Sequence, residues 1–116
     1  MTGWLPDGSE QWGGQPVART VSDMKARRRA VLTGVVRTVV VRRAQQSHGP
    51  LGRSWRPGAF DAWLDDGTGS AVVRWVGRES VPGIVGGVRL TVEGTASEVA
   101  GQLVIVNPLY RFEADA

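Results

Sequence analysis

The sequence predicts an all-β protein that folds as one small barrel of five strands. Five β-branched or alternating apolar runs lie between residues 30 and 107 of the 116-residue chain. Turns that contain glycine or proline separate these runs, and their spacing leaves little room for a helix. The chain length is typical of a single domain with a modest core.

The first part of the chain, residues 1–26, is predicted to be a flexible extension. Residues 1–16 contain four glycines, two prolines and two tryptophans without an apolar period,. Residues 17–29 fit either one or two helical turns, with Ser22 as the N-cap, or an extended lead-in to the barrel.

Residues 30–43, AVLTGVVRTVVVRR, are predicted to form the first strand because β-branched residues dominate them,. The run is long and Gly34 interrupts it, which predicts a bulge or a bend. A long, bent first strand is what a small closed barrel requires. Arg37 lies in mid-strand and is predicted to point outward, since an unpaired charge is rare on a core face.

Residues 44–58, AQQSHGPLGRSWRPG, are predicted to form a long flexible loop because they are rich in glycine, proline and polar residues,. Arg53, Trp55 and Arg56 alternate cation and aromatic in this loop. Such a loop could fold over a nucleic-acid strand and combine charge neutralisation with stacking. The alternative is a disordered loop with Trp55 tucked against the barrel.

The second and third strands are predicted over residues 59–64 and 70–76. In the second, Phe60, Ala62 and Leu64 share the inner face, so Trp63 points outward. In the third, Ala71, Val73 and Trp75 alternate with Val72, Arg74 and Val76. Trp75 is assigned to the core. Trp63 is either a stacking platform for a base or packed under the N-terminal segment or a neighbouring subunit. Arg74 either contacts a ligand or pairs with Asp61 or Asp65.

The motif DDGTG, residues 65–69, joins these strands and is interpreted as a tight turn. A phosphate-binding loop would need a longer glycine-rich stretch, a lysine and a following helix. A calcium loop would need alternating oxygen ligands and a distal glutamate. In the turn interpretation, Gly67 and Gly69 adopt positive φ angles.

The remaining strands are predicted over residues 88–96, with Leu90 and Val92 on one face, and over residues 102–107, where Pro108 ends the run,. The connection before them contains Pro82-Gly83 and Gly86-Gly87, so it has room for at most one helical turn. This order of strands and connections is that of a five-stranded OB-fold Greek-key barrel, predicted over residues 27–113.

Composition narrows the function classes. The net charge is +3, but residues 1–58 carry +7 and residues 59–116 carry −4, an asymmetry typical of a polyanion-binding side,. A GC-rich genome, which favours arginine codons, would also explain the arginine excess. The chain has no cysteine and one histidine, His48. We therefore expect no enzyme activity, no catalytic residue, no metal and no cofactor.

A family resemblance supports the same fold. The segments DDGTG, RWVGR, PGI, VRLTVEGTA and VIVNPLY, in this order and spacing, resemble the bacterial OB-fold nucleic-acid-binding domain of the tRNA-anticodon-binding type. They are also similar to the wedge OB domain of RecG-type helicases. The resemblance covers roughly residues 27–112 and implies binding of single-stranded nucleic acid by the second and third strands and flanking loops. It implies no catalytic residue.

The predicted function is binding of single-stranded nucleic acid, DNA rather than RNA, with low sequence specificity. The binding surface would be the outer face of the second and third strands and the basic 42–58 loop. The alternative is an OB-fold adaptor that binds a protein partner or a second copy of the chain. The predicted site residues are Arg37, Arg42, Arg43, Arg53, Trp55, Arg56, Trp63, Arg74 and Arg78.

The predicted location is the cytoplasm. The absence of cysteine suits a reducing compartment,. No apolar run reaches the roughly 18 residues of a membrane helix, and the N-terminal residues lack the pattern of a secretory signal.

Overall fold

The structure is a computed structural model that describes residues 11–12 and 15–114. Residues 1–10, which belong to the predicted extension, lie outside the described residues. The elements are β1 (Gln11–Trp12), β2 (Gln15–Pro16), a 3-10 turn (Val21–Asp23), β3 (Arg29–Arg42), β4 (Gln45–Gly49), β5 (Gly52–Arg56), β6 (Ala59–Asp65), β7 (Ser70–Val76), β8 (Arg89–Val99), β9 (Gln102–Val106) and β10 (Leu109–Phe112).

Five of these strands close into a ring in the order β3-β6-β7-β9-β8 and back to β3. The pairs are antiparallel except for β7 and β9, which run parallel from Val72–Val104 to Arg74–Val106. This is the Greek-key connectivity of the OB fold, so the predicted fold class is confirmed. Four predicted strands match β3, β6, β7 and β9 to within one residue at each end, and β8 extends three residues beyond its prediction.

Strand β3 closes the ring because it pairs with β8 along its first half and with β6 along its second. Val35 is the residue at which the partner changes. The pairing with β6 shifts register between Val36 and Thr38, which places the bulge at Arg37 rather than at Gly34. Gly34 has a different role, since a Cβ there would lie 2.5 Å from the carbonyl oxygen of Asp65. The glycine allows β3 and the end of β6 to approach closely.

The core fills the ring with the inward residues of each strand, as the alternation predicts. Leu32, Leu64 and Leu90 are fully buried, and Val73 and Ile105 pack among them. Trp75 is 5 % exposed and packs against Phe60 and Tyr110, with ring centroids 6.0 Å and 5.5 Å away. The assignment of Trp75 to the core is confirmed.

The segment predicted as a flexible loop is instead a β-hairpin. β4 and β5 pair in register from Gln45–Arg56 to Gly49–Gly52, and Gly52 has a φ of 104° at the turn. All ten strand residues are exposed. Because neither face packs against a core, the sequence has no alternation of apolar and polar residues that would have predicted these strands.

A sixth strand of the main sheet, β10, was not predicted. Pro108 ends β9 as expected, but Asn107 has a φ of 47° and the chain reverses to pair β10 with β8. Tyr110 and Phe112 on β10 continue the aromatic cluster that begins at Trp75. The strand therefore covers a side of the core.

Residues 17–26, which the sequence placed in the extension, pack against the barrel. Val17 and Met24 are buried, and Ala18 bridges to Ala30. One 3-10 turn replaces the predicted helix, and Ser22 lies inside this turn rather than at its N-cap. The extended lead-in is thus the better of the two interpretations.

The DDGTG turn holds this lead-in in place. Asp66 Oδ2 accepts a hydrogen bond from the Val21 amide at 2.8 Å, and Thr68 Oγ1 accepts one from the Ser22 amide at 3.1 Å. Gly67 has a φ of 91°, as predicted, but Gly69 does not adopt a positive φ. A Cβ at Gly69 would instead lie 3.1 Å from the Val21 side chain, so its smallness serves contact with the lead-in.

Candidate functional site

A groove of about 540 Å³ runs across the outer face of β6 and β7. Its floor is formed by Trp63, Val72 and Val104, which are aligned in register on three neighbouring strands. The base of the β4–β5 hairpin forms one wall, and the β8–β9 turn, residues 99–102, forms the other.

Strand alternation places Trp63 in this groove. Phe60, Ala62 and Leu64 are buried in the core, so Trp63 must lie on the opposite face of β6, where it is half-buried,. Val72 and Val104 also point outward, yet both are buried because the groove walls and the indole shield them. The prediction that Trp63 points out of the barrel is confirmed.

Asp61 organises the charged end of the groove. Arg74 donates from Nε to Asp61 Oδ1 at 2.8 Å and from Nη2 to Oδ2 at 2.9 Å. Arg42 donates from Nε to Asp61 Oδ2 at 2.9 Å. Of the two alternatives for Arg74, the structure shows the cross-strand ion pair, and Asp61 rather than Asp65 is the partner. The two guanidinium groups therefore share one carboxylate.

Electrostatics keep Asp61 ionised although it is buried. Burial by itself would raise the pKa of the Asp61 carboxyl, but the hydrogen bonds and charges of Arg74 and Arg42 outweigh it and lower the pKa below its ordinary value,. The hydrogen bond to Asp61 likewise raises the pKa of Arg74. One carboxylate between two guanidinium groups leaves a cluster with one net positive charge.

The two arginines differ in how far they face solvent. The Arg74 side chain is 19 % exposed, whereas that of Arg42 is 60 % exposed. Arg42 uses only Nε for Asp61, so its terminal nitrogens are available to a ligand,. Arg56, at the base of the hairpin, lines the groove as well. The structure thus brings four of the nine predicted site residues together: Arg42, Arg56, Trp63 and Arg74.

The other predicted cations lie outside the groove lining. Arg37 is exposed and lies 3.5 Å from Asp65, and Arg43 is 3.8 Å from Glu79. Arg78 follows Gly77, whose amide donates to the carbonyl of Gly58 beside the hairpin. Within residues 17–114, the side chains of Arg53, Arg56 and Arg78 make no hydrogen bond or ion pair.

The hairpin divides its predicted site residues between two faces. Arg53 and Trp55 alternate with Arg56, so they point to the opposite side of the ribbon,. Trp55 is 66 % exposed, which is contrary to its being tucked against the barrel. Arg56 faces the groove, while Arg53 and Trp55 extend the cationic and aromatic surface beyond it.

The sequence contained a signal for the Asp61–Arg74 pair but not for Arg42. A tight turn that pairs Asp65 with Ser70 places Asp61 directly opposite Arg74, and opposite charges at such positions attract,. Arg42 reaches the same carboxylate only because β3 lies beside β6 in the closed barrel. Asp61 itself was absent from the predicted site residues.

Residues 11–12 and 15–114 contain no group of three or more histidine, aspartate or glutamate residues placed to hold a metal ion. Over the same residues, no helix has the length and apolar character needed to cross a membrane.

The fold and this site define a small OB barrel with a tryptophan-floored, arginine-lined groove. No family model matches the chain, and no curated protein matches its sequence. The resemblance to OB domains of the tRNA-anticodon-binding type therefore stays a prediction.

Proposed function

We propose that this protein binds single-stranded nucleic acid with little sequence preference, DNA in preference to RNA, in the groove across β6 and β7. The observation that supports this proposal is the convergence of one half-buried indole and three guanidinium groups on a single groove. In OB folds the equivalent face, between the corresponding loops, is used for oligonucleotides and oligosaccharides.

The groove offers both kinds of contact that a single strand requires. A base can stack on Trp63, and such stacking tolerates any base because each has a π face. Arg42 and Arg56 present guanidinium nitrogens to backbone phosphates,. The floor otherwise consists of valine methyl groups, which offer no hydrogen bond to a base edge or a ribose 2′-hydroxyl,. This composition favours low specificity, and because a ribose 2′-hydroxyl buried against it would lack a hydrogen-bond partner, it also favours DNA over RNA.

The hairpin adds a second contact surface. Arg53 has no partner in the described structure and Trp55 is largely exposed, so both are available to a strand that leaves the groove. A bound strand could therefore contact the groove and one face of the hairpin. The cytoplasm is the proposed location, in keeping with a chain that has no cysteine,.

The test is a titration of a fluorescent oligothymidylate of about 20 nucleotides, followed by anisotropy over a salt series. We expect affinity to fall with salt, with a log–log slope of about 0.7 for each phosphate contacted. Arg56→Gln should lower that slope by about 0.7, since it removes a groove cation. Arg89→Gln makes the same charge change on β8, outside the groove, and should leave the slope unchanged.

Two results of the salt series would overturn the proposal. A wild-type affinity that is flat with salt, or an equal loss of slope in both variants, would show that the groove does not bind phosphates. An oligouridylate and an oligodeoxyuridylate of the same length differ only in the ribose 2′-hydroxyl and test the preference for DNA in the same assay. The preference fails if the oligouridylate binds as tightly as its deoxy counterpart.

A second candidate function is a protein-binding adaptor. Val76 and Val99 line the groove and are each 41 % exposed, so they offer apolar surface for a partner,. In that case adding the protein would leave the anisotropy of the labelled oligonucleotide unchanged. Sedimentation or crosslinking would instead show a protein complex that persists at high salt. The arginine lining makes nucleic acid the better of the two proposals.

A further inference from the structure

We infer that Asp61 is a positioning residue of the groove, which holds Arg42 and Arg74 in place as a preformed site for one backbone phosphate. This inference rests on the proposed function and deepens it. It assigns a role in binding a polyanion to a residue whose own charge repels that polyanion.

The geometry supports this role in two ways. Asp61 is 2 % exposed on the groove face of β6, and it accepts hydrogen bonds from both arginines at 2.8–2.9 Å. Arg74 is held on both oxygens, a fork-to-fork arrangement that fixes the plane of its guanidinium. Arg42 is held by Asp61 through Nε alone. Its two terminal nitrogens, Nη1 and Nη2, therefore remain available on an exposed side chain whose Nε is fixed.

Such holding matters because arginine is a flexible side chain. A free arginine loses rotamer freedom when it binds a phosphate, whereas one already fixed by a carboxylate loses less. The carboxylate is kept ionised by the same two arginines, and the cluster retains one net positive charge. The arginines are thus preorganised at the expense of one positive charge, and the cluster that remains still attracts phosphate.

The inference can be tested by the sign of one mutational effect. Asp61→Asn removes a negative charge from the groove. If Asp61 only neutralised the charge of its neighbours, Asp61→Asn would let the groove neutralise one more phosphate. The counterion released by that contact would tighten oligothymidylate binding by about fivefold at 0.1 M salt. If Asp61 positions the arginines, binding should weaken by about threefold or more despite the added positive charge.

Asp65→Asn is the matched control. Asp65 is on the same strand and the same face, and among the described residues its only ion pair is the 3.5 Å contact with the exposed Arg37. The amide can still accept the hydrogen bond that Gly67 donates at 2.8 Å. This variant should bind oligothymidylate as tightly as the wild type or more tightly. Weaker binding by Asp61→Asn together with this control result supports the inference, and tighter binding by both variants overturns it.

A second variant covers the case in which Asp61→Asn does not fold, as judged by circular dichroism. Arg42→Lys keeps the charge on an exposed side chain but loses the planar fork that faces Asp61 and ligand at once,. We expect it to bind about threefold more weakly with an unchanged salt slope. Equal affinity would overturn the inference.

The binding of wild-type protein and that of Asp61→Asn test the proposed function and the positioning role separately. Wild-type protein that does not bind oligothymidylate contradicts the proposed function and removes the inference with it. Wild-type binding with a steep salt slope, combined with tighter binding by Asp61→Asn, preserves the function and rejects the positioning role alone.

Discussion

Arg74 and Asp61 face each other across the β6–β7 pair and are joined by two hydrogen bonds, of 2.8 Å and 2.9 Å. This contact places a buried carboxylate on the groove face and ties two strands of the barrel to each other. Arg42 brings in the third strand, β3. The cluster therefore links the stability of the barrel with the shape of the groove.

The first prediction concerns acid stability. The pKa of Asp61 is lower in the folded protein than its ordinary value of 3.8, so its stabilising effect is present above that value and is lost as the pH falls below it,. Asp61→Asn should lower the free energy of unfolding by about 1–3 kcal/mol at neutral pH. Urea unfolding at several pH values should show this difference shrinking in acid.

Asp66 and Glu113 also have lowered pKa values, so the variant itself loses stability in acid. The informative quantity is therefore the difference between wild type and Asp61→Asn at each pH. A difference that stays constant down to about pH 2 would mean that the charge of Asp61 does not stabilise the fold.

The second prediction compares two tryptophans, Trp63 in the groove and Trp75 in the core. Trp63→Ala should weaken oligothymidylate binding by about 1–3 kcal/mol while the barrel stays folded, because its indole lies on the outer face,. Trp75→Ala should destabilise the fold by about 3–5 kcal/mol, because it leaves a cavity in the aromatic cluster,. Anisotropy measures the first effect and urea unfolding the second. Unchanged affinity of Trp63→Ala would exclude stacking at this position.

The third prediction tests the close approach at Gly34. A methyl group there would lie 2.5 Å from a backbone oxygen of Asp65 and 3.2 Å from Cα of Asp66, so Gly34→Ala should cost about 1–3 kcal/mol,. Gly86→Ala is the matched control, since its nearest neighbour is at an ordinary 3.6 Å. Thermal unfolding compares the two, and equal melting temperatures would contradict the predicted clash.

The fourth prediction concerns the hairpin. The variant replaces residues 46–55 with an Asn-Gly turn. Because Gln45 and Arg56 are paired in register, this two-residue turn should connect them without strain,. None of the ten hairpin residues is buried, and the melting temperature should therefore change little. Loss of Arg53 and Trp55 should weaken oligothymidylate binding by about tenfold. Wild-type affinity in the shortened protein would restrict the site to the groove.

Much of the barrel could be predicted from local patterns. Alternation on β6 and β7 placed Phe60, Leu64 and Trp75 inside and Trp63 outside, because each residue faces either a core or a surface,. Local patterns did not predict the strands β4, β5 and β10, and each has a physical reason. Neither β4 nor β5 has a buried face, and β10 follows a proline that ends the preceding strand.

The candidate site was predicted as a set of residue types rather than as an arrangement. Nine residues were named from charge and aromatic character, and the structure brings Arg42, Arg56, Trp63 and Arg74 to one groove. Arg37 and Arg43 instead lie near acidic partners outside it. Asp61 was missed as a site residue because an acidic side chain does not by itself suggest a role in binding polyanions.

The sequence by itself determined the barrel, its inner and outer faces and the outward position of Trp63, since strand periodicity is local and requires no partner. Closure of the ring of strands determined which side chains meet in the groove. It set Val72 and Val104 beside Trp63 as a floor, and it brought Arg42 to Asp61 from a strand nineteen residues earlier in the chain. These contacts depend on which strands become neighbours, and that is settled only when all five strands pack around one core.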